Sequence, residues 1–157
     1  MGGGDKTLIE LGGTTIVARV LRALAAHCDT IVSVGREAPG GPAAAVASVR
    51  QHFDGADIVV VAAGDLALLR PEHVEALLAA IGTADAAAAL DDRGLPNPLV
   101  AAHRASSLAR TLAEVEPGDR ADRMLPPNTI GVALDPDATF NVNTPDDLEE
   151  ARRRLSR

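Results

Sequence analysis

The chain has 157 residues, only two of them aromatic (Phe53 and Phe140), and a formal net charge of −7. This length fits one domain over residues 1–157, and the negative charge argues against DNA or RNA as a partner, because nucleic-acid binding normally needs a clustered basic face. No apolar run reaches the ~18 residues of a membrane-spanning helix and no cleavable signal peptide opens the sequence, so we expect a cytoplasmic protein without a membrane partner.

Apolar runs of strand length alternate with helical stretches along the chain. The predicted helices cover 16–24, 43–52, 71–81, 106–115 and the residues from Pro145 onward. The predicted strands cover 30–34, 57–62, 84–90, 99–102, 129–133 and 140–142, although the alanines of 84–90 fit a helix equally well. This alternation with short connections predicts a three-layer α/β/α sandwich of Rossmann-like type with a mostly parallel sheet.

Consecutive glycines stand just ahead of a lysine at the start of the chain: Gly2, Gly3, Gly4 and then Lys6. Glycines let backbone N–H groups approach an anion closely, and a lysine two residues later supplies a mobile positive charge for phosphate. The pattern is typical of a phosphate-binding loop. A disordered tail has the same composition, so the residues alone leave both readings open.

Asp65 follows the clearest strand of the chain, residues 57–62. Open α/β sheets bind ligands just past the carboxyl ends of their strands, where this aspartate lies. Mg²⁺ prefers one or two carboxylates together with phosphates and water. The sequence therefore offers Asp65 as a metal ligand, with a loop aspartate that hydrogen-bonds in a turn as the alternative.

Two asparagines follow one another at alternate positions near the end of the chain, in Asn141-Val142-Asn143. In a strand, Asn141 and Asn143 would lie on one side, with Phe140 and Val142 facing the core. Two adjacent amides could bind a metal-bridged phosphate or a substrate. Alternatively, these polar residues end the strand and cap the helix that starts at Thr144 and Pro145.

The histidines and the single cysteine show no spacing typical of metal ligands or of a nucleophile. The four histidines are expected on exposed helix faces or at helix ends: His27, His52, His73 and His103. Cys28 is expected to be a small buried hydrophobic residue. A metal triad or a serine hydrolase finds no support.

Six ordered segments resemble one family of nucleotidyltransferases. They are Met1-Gly2-Gly3-Gly4-Asp5-Lys6, the segment 8–13, Gly41-Pro42-Ala43-Ala44, Ala63-Gly64-Asp65-Leu66, Asn97-Pro98-Leu99 followed by His103-Arg104, and Phe140-Asn141-Val142-Asn143-Thr144-Pro145-Asp146-Asp147-Leu148. In this order they are similar to the motifs of the molybdenum cofactor guanylyltransferase (MobA-type) family. The last segment matches that family's pattern almost throughout.

The resemblance implies a Mg²⁺-dependent enzyme that joins the GMP part of GTP to molybdopterin cofactor and releases pyrophosphate. It implies GTP and molybdopterin as substrates, and transient contact with molybdoenzymes or their chaperones. Catalytic roles fall on Lys6, which contacts phosphate, and on Asp65, which holds Mg²⁺. The implied nucleotide-binding residues are Gly2, Gly3, Gly4, Lys6, Gly35 and Asp65, and the implied substrate-binding residues are Asn141 and Asn143.

The sequence departs from the family's pattern in two places. The family's initial strand and the first half of its nucleotide loop are absent, and the connection from Gly35 to Pro42 is short. Because a missing central strand would leave an open slot in the sheet, we expect the natural gene to encode residues upstream of Met1. Two alternative functions stay open: a cytidylyltransferase acting on the same or another phosphorylated acceptor, and a truncated, non-catalytic paralogue that binds a nucleotide or a partner.

Overall fold

The computed structural model describes residues 6–35 and 40–157, and of Lys6 it describes the backbone alone. The α-helices in these residues are α1 (Ile16–Ala25), α2 (Gly41–Ala47), α3 (Pro71–Ala80), α4 (Ala105–Leu112) and α5 (Pro145–Leu155). The strands are β1 (Glu10–Leu11), β2 (Thr14–Thr15), β3 (Ile58–Ala62), β4 (Ala86–Leu90), β5 (Pro96–Arg104) and β6 (Thr129–Val132). Short 3-10 helices span Lys6–Leu8, Arg50–Phe53, Ala121–Met124 and Pro136–Thr139. None of the described helices combines the length and apolar character needed to cross a membrane.

The main sheet has four strands in the order β3-β5-β4-β6. β5 runs antiparallel to β3 and β4, whereas β4 and β6 are parallel. β3, β4 and β6 therefore share one direction, and β5 alone is reversed. The sequence predicts a mostly parallel sheet; three of the four strands share one direction, but two of the three pairings are antiparallel, so the sheet of the described residues is mixed. The reversed strand lies inside the sheet because the turn between Asp91 and Gly94, closed by a 3.0 Å hydrogen bond, folds β5 back on β4.

Helices cover both faces of this sheet. On one face, α1 and α3 pack against alternate residues of the strands, among them Val60 and Val100. On the other face, α2 and α4 pack against the intervening residues, among them Val59 and Val61. This alternation is that of strands buried on both faces. It confirms the predicted three-layer α/β/α architecture.

A small hairpin, β1–β2, precedes α1 and was not predicted from the sequence. Its turn consists of Gly12 and Gly13, whose φ angles are +62° and +79°. Tight hairpin turns require positive φ at both central residues, which glycine adopts without strain. Thr15 ends the hairpin and caps α1, because its hydroxyl oxygen accepts a hydrogen bond from the Ala18 N–H.

Three predicted elements differ in the structure. Residues 30–34 form no strand, because no described segment pairs with them, and Val32 is 40% exposed. Residues 140–142 form a single isolated bridge instead of a strand. The helix predicted over 43–52 ends at Ala47, and the 3-10 helix Arg50–Phe53 follows it.

Two histidines are buried: His103 lies in a strand, which corrects the predicted exposed helix face or helix end, whereas His73 lies at the start of α3, a helix end as predicted. His103 lies in β5 between Val59 of β3 and Ala86 of β4 and is 0% exposed. His73 is buried in α3, where its Nδ1 lies 3.2 Å from the Arg70 N–H. Cys28 packs partly buried against the core, as predicted.

Candidate functional site

The segment after β3 and the segment before α5 lie side by side. The Val142 N–H donates a 3.2 Å hydrogen bond to the Asp65 carbonyl oxygen, and Leu66 and Asn141 form an antiparallel bridge. The structure therefore brings together Asp65 and Asn141, two residues that the sequence proposed separately. They meet past the carboxyl end of β3, where ligands bind in α/β sheets.

An apolar base holds these two segments in place. The four residues that follow Asp65 are at most 4% exposed: Leu66, Ala67, Leu68 and Leu69. Leu68 and Val142 belong to one apolar cluster with Ile16 of α1 and Ala151 of α5. Burial of such side chains contributes about 1.5–3 kcal/mol each for the large ones. Asp65 itself is half-buried at the rim of this base.

The start of the described chain also contacts this site. A Cβ atom added at Gly64 would lie 3.3 Å from Thr7 Cγ2, a tight contact. The short helix Lys6–Leu8 therefore packs on the backbone that leads to Asp65, and Gly64 permits the close approach. The Lys6 side chain lies outside the described residues. The structure thus brings the backbone of the predicted lysine next to the predicted metal site.

The oxygen atoms of Asp65 and Asn141 suit a hard cation. Asn141 Oδ1 is buried and has no hydrogen-bond partner among the described residues, and such a buried atom calls for one. In the same residues, the Asp65 carboxylate makes no hydrogen bond or ion pair. Carboxylate and amide oxygens are the ligands that Mg²⁺ uses. The part of the chain that the structure describes holds no cluster of three or more His, Cys, Asp or Glu suited to a metal.

Asn143 lies at the start of α5. Its backbone N–H donates a 2.9 Å hydrogen bond to Asp147 Oδ2, and Thr144 and Asp147 form a reciprocal capping box. The chain turns into the helix directly after Val142, so Asn141 is half-buried while Asn143 is exposed. Phe140 and Val142 face the apolar cluster, as predicted.

The other predicted nucleotide-binding residues lie apart or are not described. Gly2, Gly3 and Gly4 fall outside the described residues. Gly35 is exposed, at the end of the unpaired segment 30–35. Within the described part of the chain, no hydrogen bond joins Gly35 to Asp65 or Asn141.

Sequence reasoning missed two groups of residues that support the site. Arg19 of α1 donates a 2.9 Å hydrogen bond from Nε to the Ala67 carbonyl oxygen, in the loop after Asp65. Burial, and secondly the neighbouring Arg22, lowers the pKa of Arg19. Arg70 and Arg154 both bind Asp137, in the segment before Asn141. The partners are far apart in the chain, and no local pattern predicts such pairs.

The family model for the MobA-like NTP transferase domain matches residues 1–127. A molybdenum cofactor guanylyltransferase of Rhodopseudomonas palustris (strain BisB5) is 30% identical over 183 aligned residues, which cover 98% of this chain and 87% of that protein. The family model ends before Asn141 and Asn143. The alignment with the Rhodopseudomonas palustris relative covers 98% of the chain and includes both residues.

Solved structures share the fold. The molybdopterin-guanine dinucleotide biosynthesis protein A of Archaeoglobus fulgidus superposes with a TM-score of 0.68 at 24% identity, covering 98% of this chain and 92% of that one. The 2-C-methyl-D-erythritol 4-phosphate cytidylyltransferase of Thermus thermophilus superposes with a TM-score of 0.67 at 20% identity, covering 99% and 96%. At these identities the likeness concerns the fold alone.

Proposed function

We propose that this chain, which belongs to the family of MobA-like NTP transferase domains, transfers the GMP part of GTP to molybdopterin cofactor. The chain is a nucleotidyltransferase by family, and its relative at 30% identity is a molybdenum cofactor guanylyltransferase. The observation that carries the site assignment is the buried Oδ1 of Asn141, which has no partner among the described residues and lies in the segment bridged to Leu66, next to Asp65.

In the proposed reaction, an oxygen of the acceptor's terminal phosphate attacks the α-phosphorus of GTP. The new P–O bond forms as the bond from the α-phosphorus to the oxygen bridging to the β-phosphate breaks, and pyrophosphate leaves. The main contributions of the protein to such a transfer are alignment of the two phosphates and stabilisation of developing negative charge.

Asp65 is the proposed ligand of Mg²⁺, and Asn141 Oδ1 is a candidate second oxygen. The half-buried carboxylate and the amide oxygen, which has no partner among the residues that the structure describes, fit this ion's preference for oxygen donors. Mg²⁺ would neutralise charge on the triphosphate. The apolar base beneath Asp65 limits water access from one side and fixes the carboxylate's backbone.

The remaining contacts to GTP are assigned from the family's motifs. Lys6 is proposed to contact phosphate oxygens, with the backbone of Gly2, Gly3 and Gly4 as further donors. Gly35 is proposed near the base and ribose. Asn143, beside Asn141 in the chain, is proposed to orient the acceptor's phosphate. The cytoplasmic location and the contact with molybdoenzymes or their chaperones stay predictions.

A nucleotide comparison tests the proposal. The chain is incubated with molybdopterin, Mg²⁺ and either GTP or CTP, and dinucleotide product and pyrophosphate are measured. Product with GTP and little with CTP is expected. Turnover of CTP in preference would identify a cytidylyltransferase and overturn the guanylyl assignment.

Calorimetric titration separates the non-catalytic alternative. An active enzyme binds GTP in the presence of Mg²⁺ and turns it over when the acceptor is added. Saturable GTP binding without turnover in the presence of molybdopterin would show a nucleotide-binding paralogue. A chain that neither binds nor transfers either nucleotide would contradict the proposed function altogether.

A further inference from the structure

The geometry points to Asp137 as a positioning residue for the proposed transfer site, an inference that rests on the proposed function. Asp137 touches neither Asp65 nor Asn141. Through Arg70 and Arg154 it fixes the segment that carries Asn141 against the segment that carries Asp65. We call these four residues, Arg70, Asp137, Glu150 and Arg154, the clamp.

The carboxylate of Asp137 uses a separate oxygen for each arginine. Arg70 Nη1 donates to Asp137 Oδ2 at 3.1 Å, and Arg154 Nη1 donates to Asp137 Oδ1 at 3.0 Å. The Asp137 side chain is 19% exposed and that of Arg154 27%. The Arg154–Asp137 pair is thus partly shielded from water, a setting in which charge-assisted hydrogen bonds gain strength. The Arg70 side chain is 44% exposed, so its pair with Asp137 is the weaker of the two.

The Arg70–Asp137 contact of the clamp joins the same two segments as the Asp65–Val142 hydrogen bond, at their opposite end. Asp65 contacts Val142, and Leu66 contacts Asn141. Arg70 contacts Asp137 five residues further along, so the two segments meet at both ends. Between the backbone bridge and this ion pair, the apolar packing of Leu68 and Val142 is the other link between them. Asp137 therefore adds a second attachment point to a short pairing.

Arg154 and Glu150 are the members of the clamp that lie in α5. Arg154 Nε donates to Glu150 Oε1 at 2.7 Å, and its guanidinium carbon lies 4.5 Å from the centre of the Phe140 ring. Phe140 directly precedes Asn141. Arg154 therefore restrains this segment twice, through the Asp137 carboxylate and by a cation–π contact. Hydrogen bonds from Arg154 to Glu150 and to Asp137 raise the pKa of Arg154, so the guanidinium stays charged.

Arg70 also contacts Asp135, which lies two residues before Asp137. Arg70 Nη2 donates to Asp135 Oδ2 at 3.3 Å, and the Asp135 Oδ1 accepts the Asp137 N–H at 2.9 Å. Backbone N–H donation from Asp137, followed by the Arg70 contact, lowers the pKa of Asp135. Asp135 thus orients Asp137 and shares its arginine.

Hydrogen exchange of the Val142 amide tests the inference without reference to activity. This N–H is bonded to the Asp65 carbonyl oxygen, so its protection reports the pairing of the two segments. Asp137→Ala removes both ion pairs, and exchange should become about fivefold faster for each pair lost, up to about 30-fold in total, if each pair contributes at the upper end of the range for partly exposed pairs. Asp137→Asn removes the negative charge and keeps the size of the side chain, so it tests the loss of the ion pairs even if Asp137→Ala does not fold.

Glu149→Ala is the matched control. Glu149 forms an ion pair with Arg152 within α5, and this pair links no second segment. Its loss should leave the exchange of Val142 unchanged. Arg70→Ala removes only one of the two ion pairs of Asp137, so its effect should be smaller than that of Asp137→Ala. The double variant should add little to Asp137→Ala, because their shared contact is already lost.

Kinetics then separates positioning from simple stability. In the Asp137 variants, measured well below their melting temperature, the Mg²⁺ concentration for half-maximal turnover should rise about fivefold, whereas the melting temperature should fall by only a few degrees. Exchange and Mg²⁺ dependence equal to those of the wild type would overturn the inference. If the wild type transfers no nucleotide, the proposed function fails, and the Val142 exchange still decides whether Asp137 holds the two segments together.

Discussion

The backbone N–H of Val142 donates a 3.2 Å hydrogen bond to the carbonyl oxygen of Asp65. This bond joins the loop after β3 to the segment before α5, and it places the backbone of the half-buried Asp65 beside that of Val142, the neighbour of Asn141. The amide oxygen of Asn141 is buried and unpartnered among the described residues. Under the proposed function, the Asp65 carboxylate and the Asn141 amide oxygen would serve as oxygen donors to Mg²⁺.

Asn141→Ala should separate activity from stability. A buried polar atom without a partner costs free energy in the folded state, so its removal should leave the free energy of unfolding unchanged or raise it by up to about 1 kcal/mol. Turnover of GTP should fall about 10- to 100-fold. Denaturant unfolding and steady-state kinetics measure the two effects. Asn128→Ala, an exposed amide ahead of β6, is the control and should change neither, and a stability loss in Asn141→Ala with intact turnover would contradict the assignment.

Gly64→Ala should displace the short helix Lys6–Leu8. The new Cβ would lie 3.3 Å from Thr7 Cγ2, and the neighbour must move by a few tenths of an ångström. We expect weaker GTP binding in calorimetry with a small change in melting temperature. Adding Thr7→Ser removes the contacted methyl group and should restore binding. Weak binding that persists in the double variant would show that Gly64 acts in another way.

His103 should make the fold sensitive to acid. Burial lowers the pKa of His103 from 6.5 to about 4, and neither ring nitrogen has a hydrogen-bond partner among the described residues. Between these values the unfolded chain binds a proton that the folded chain does not. The free energy of unfolding therefore falls as the pH falls from 6.5 towards 4, by about 1.4 kcal/mol per pH unit.

His103→Leu tests this dependence. It removes the titrating group and its unpartnered nitrogens, so stability at pH 7 should stay equal or rise, and the slope between pH 4 and 6.5 should decrease. Urea unfolding across this range measures both. His27→Leu, in an exposed position after α1, controls for the loss of a histidine. An unchanged slope in His103→Leu would show that other groups cause the acid sensitivity.

Thr144→Ala should weaken the start of α5. The Thr144 hydroxyl accepts the Asp147 N–H at 3.2 Å, and Asp147 Oδ2 accepts the Thr144 N–H at 2.8 Å. Loss of such a cap costs about 1 kcal/mol. Thermal unfolding should show this loss for Thr144→Ala and a much smaller one for Thr144→Ser. Thr83→Ala, in an exposed turn after α3, should have no effect, and equal melting temperatures for all three variants would contradict the role of the cap.

The sequence predicts the layers of the fold well because their signals are local. The β-branched run of β3 and the Thr144–Pro145 helix start each specify one element through neighbouring residues. Asp65 is found in the same way, as an acid that follows a buried strand. Residues 30–34 have an equally clear strand pattern, yet they form no strand in the absence of a described partner. A sequence pattern predicts which secondary structure a segment prefers. Whether a strand forms also depends on which other segments lie beside it.

The contacts that build the site are less accessible to sequence reasoning. The antiparallel bridge of Leu66 with Asn141, the packing of Thr7 on Gly64 and the clamp all join residues far apart in the chain. Motif resemblance points to Asp65 and Asn141 individually, and only the fold brings them together. His103 is missed for a related reason, because nothing local distinguishes a buried histidine in β5 from an exposed one.

The central claim is that Asp65 holds the metal for nucleotidyl transfer, and one variant tests it most directly. Turnover of GTP with molybdopterin and Mg²⁺ is measured for the wild type, for Asp65→Asn and for Asp57→Asn, an exposed aspartate at the opposite end of β3. We expect Asp65→Asn to lose at least about 100-fold in turnover at an unchanged melting temperature, and Asp57→Asn to retain full turnover. Full Mg²⁺-dependent turnover in Asp65→Asn would contradict the account.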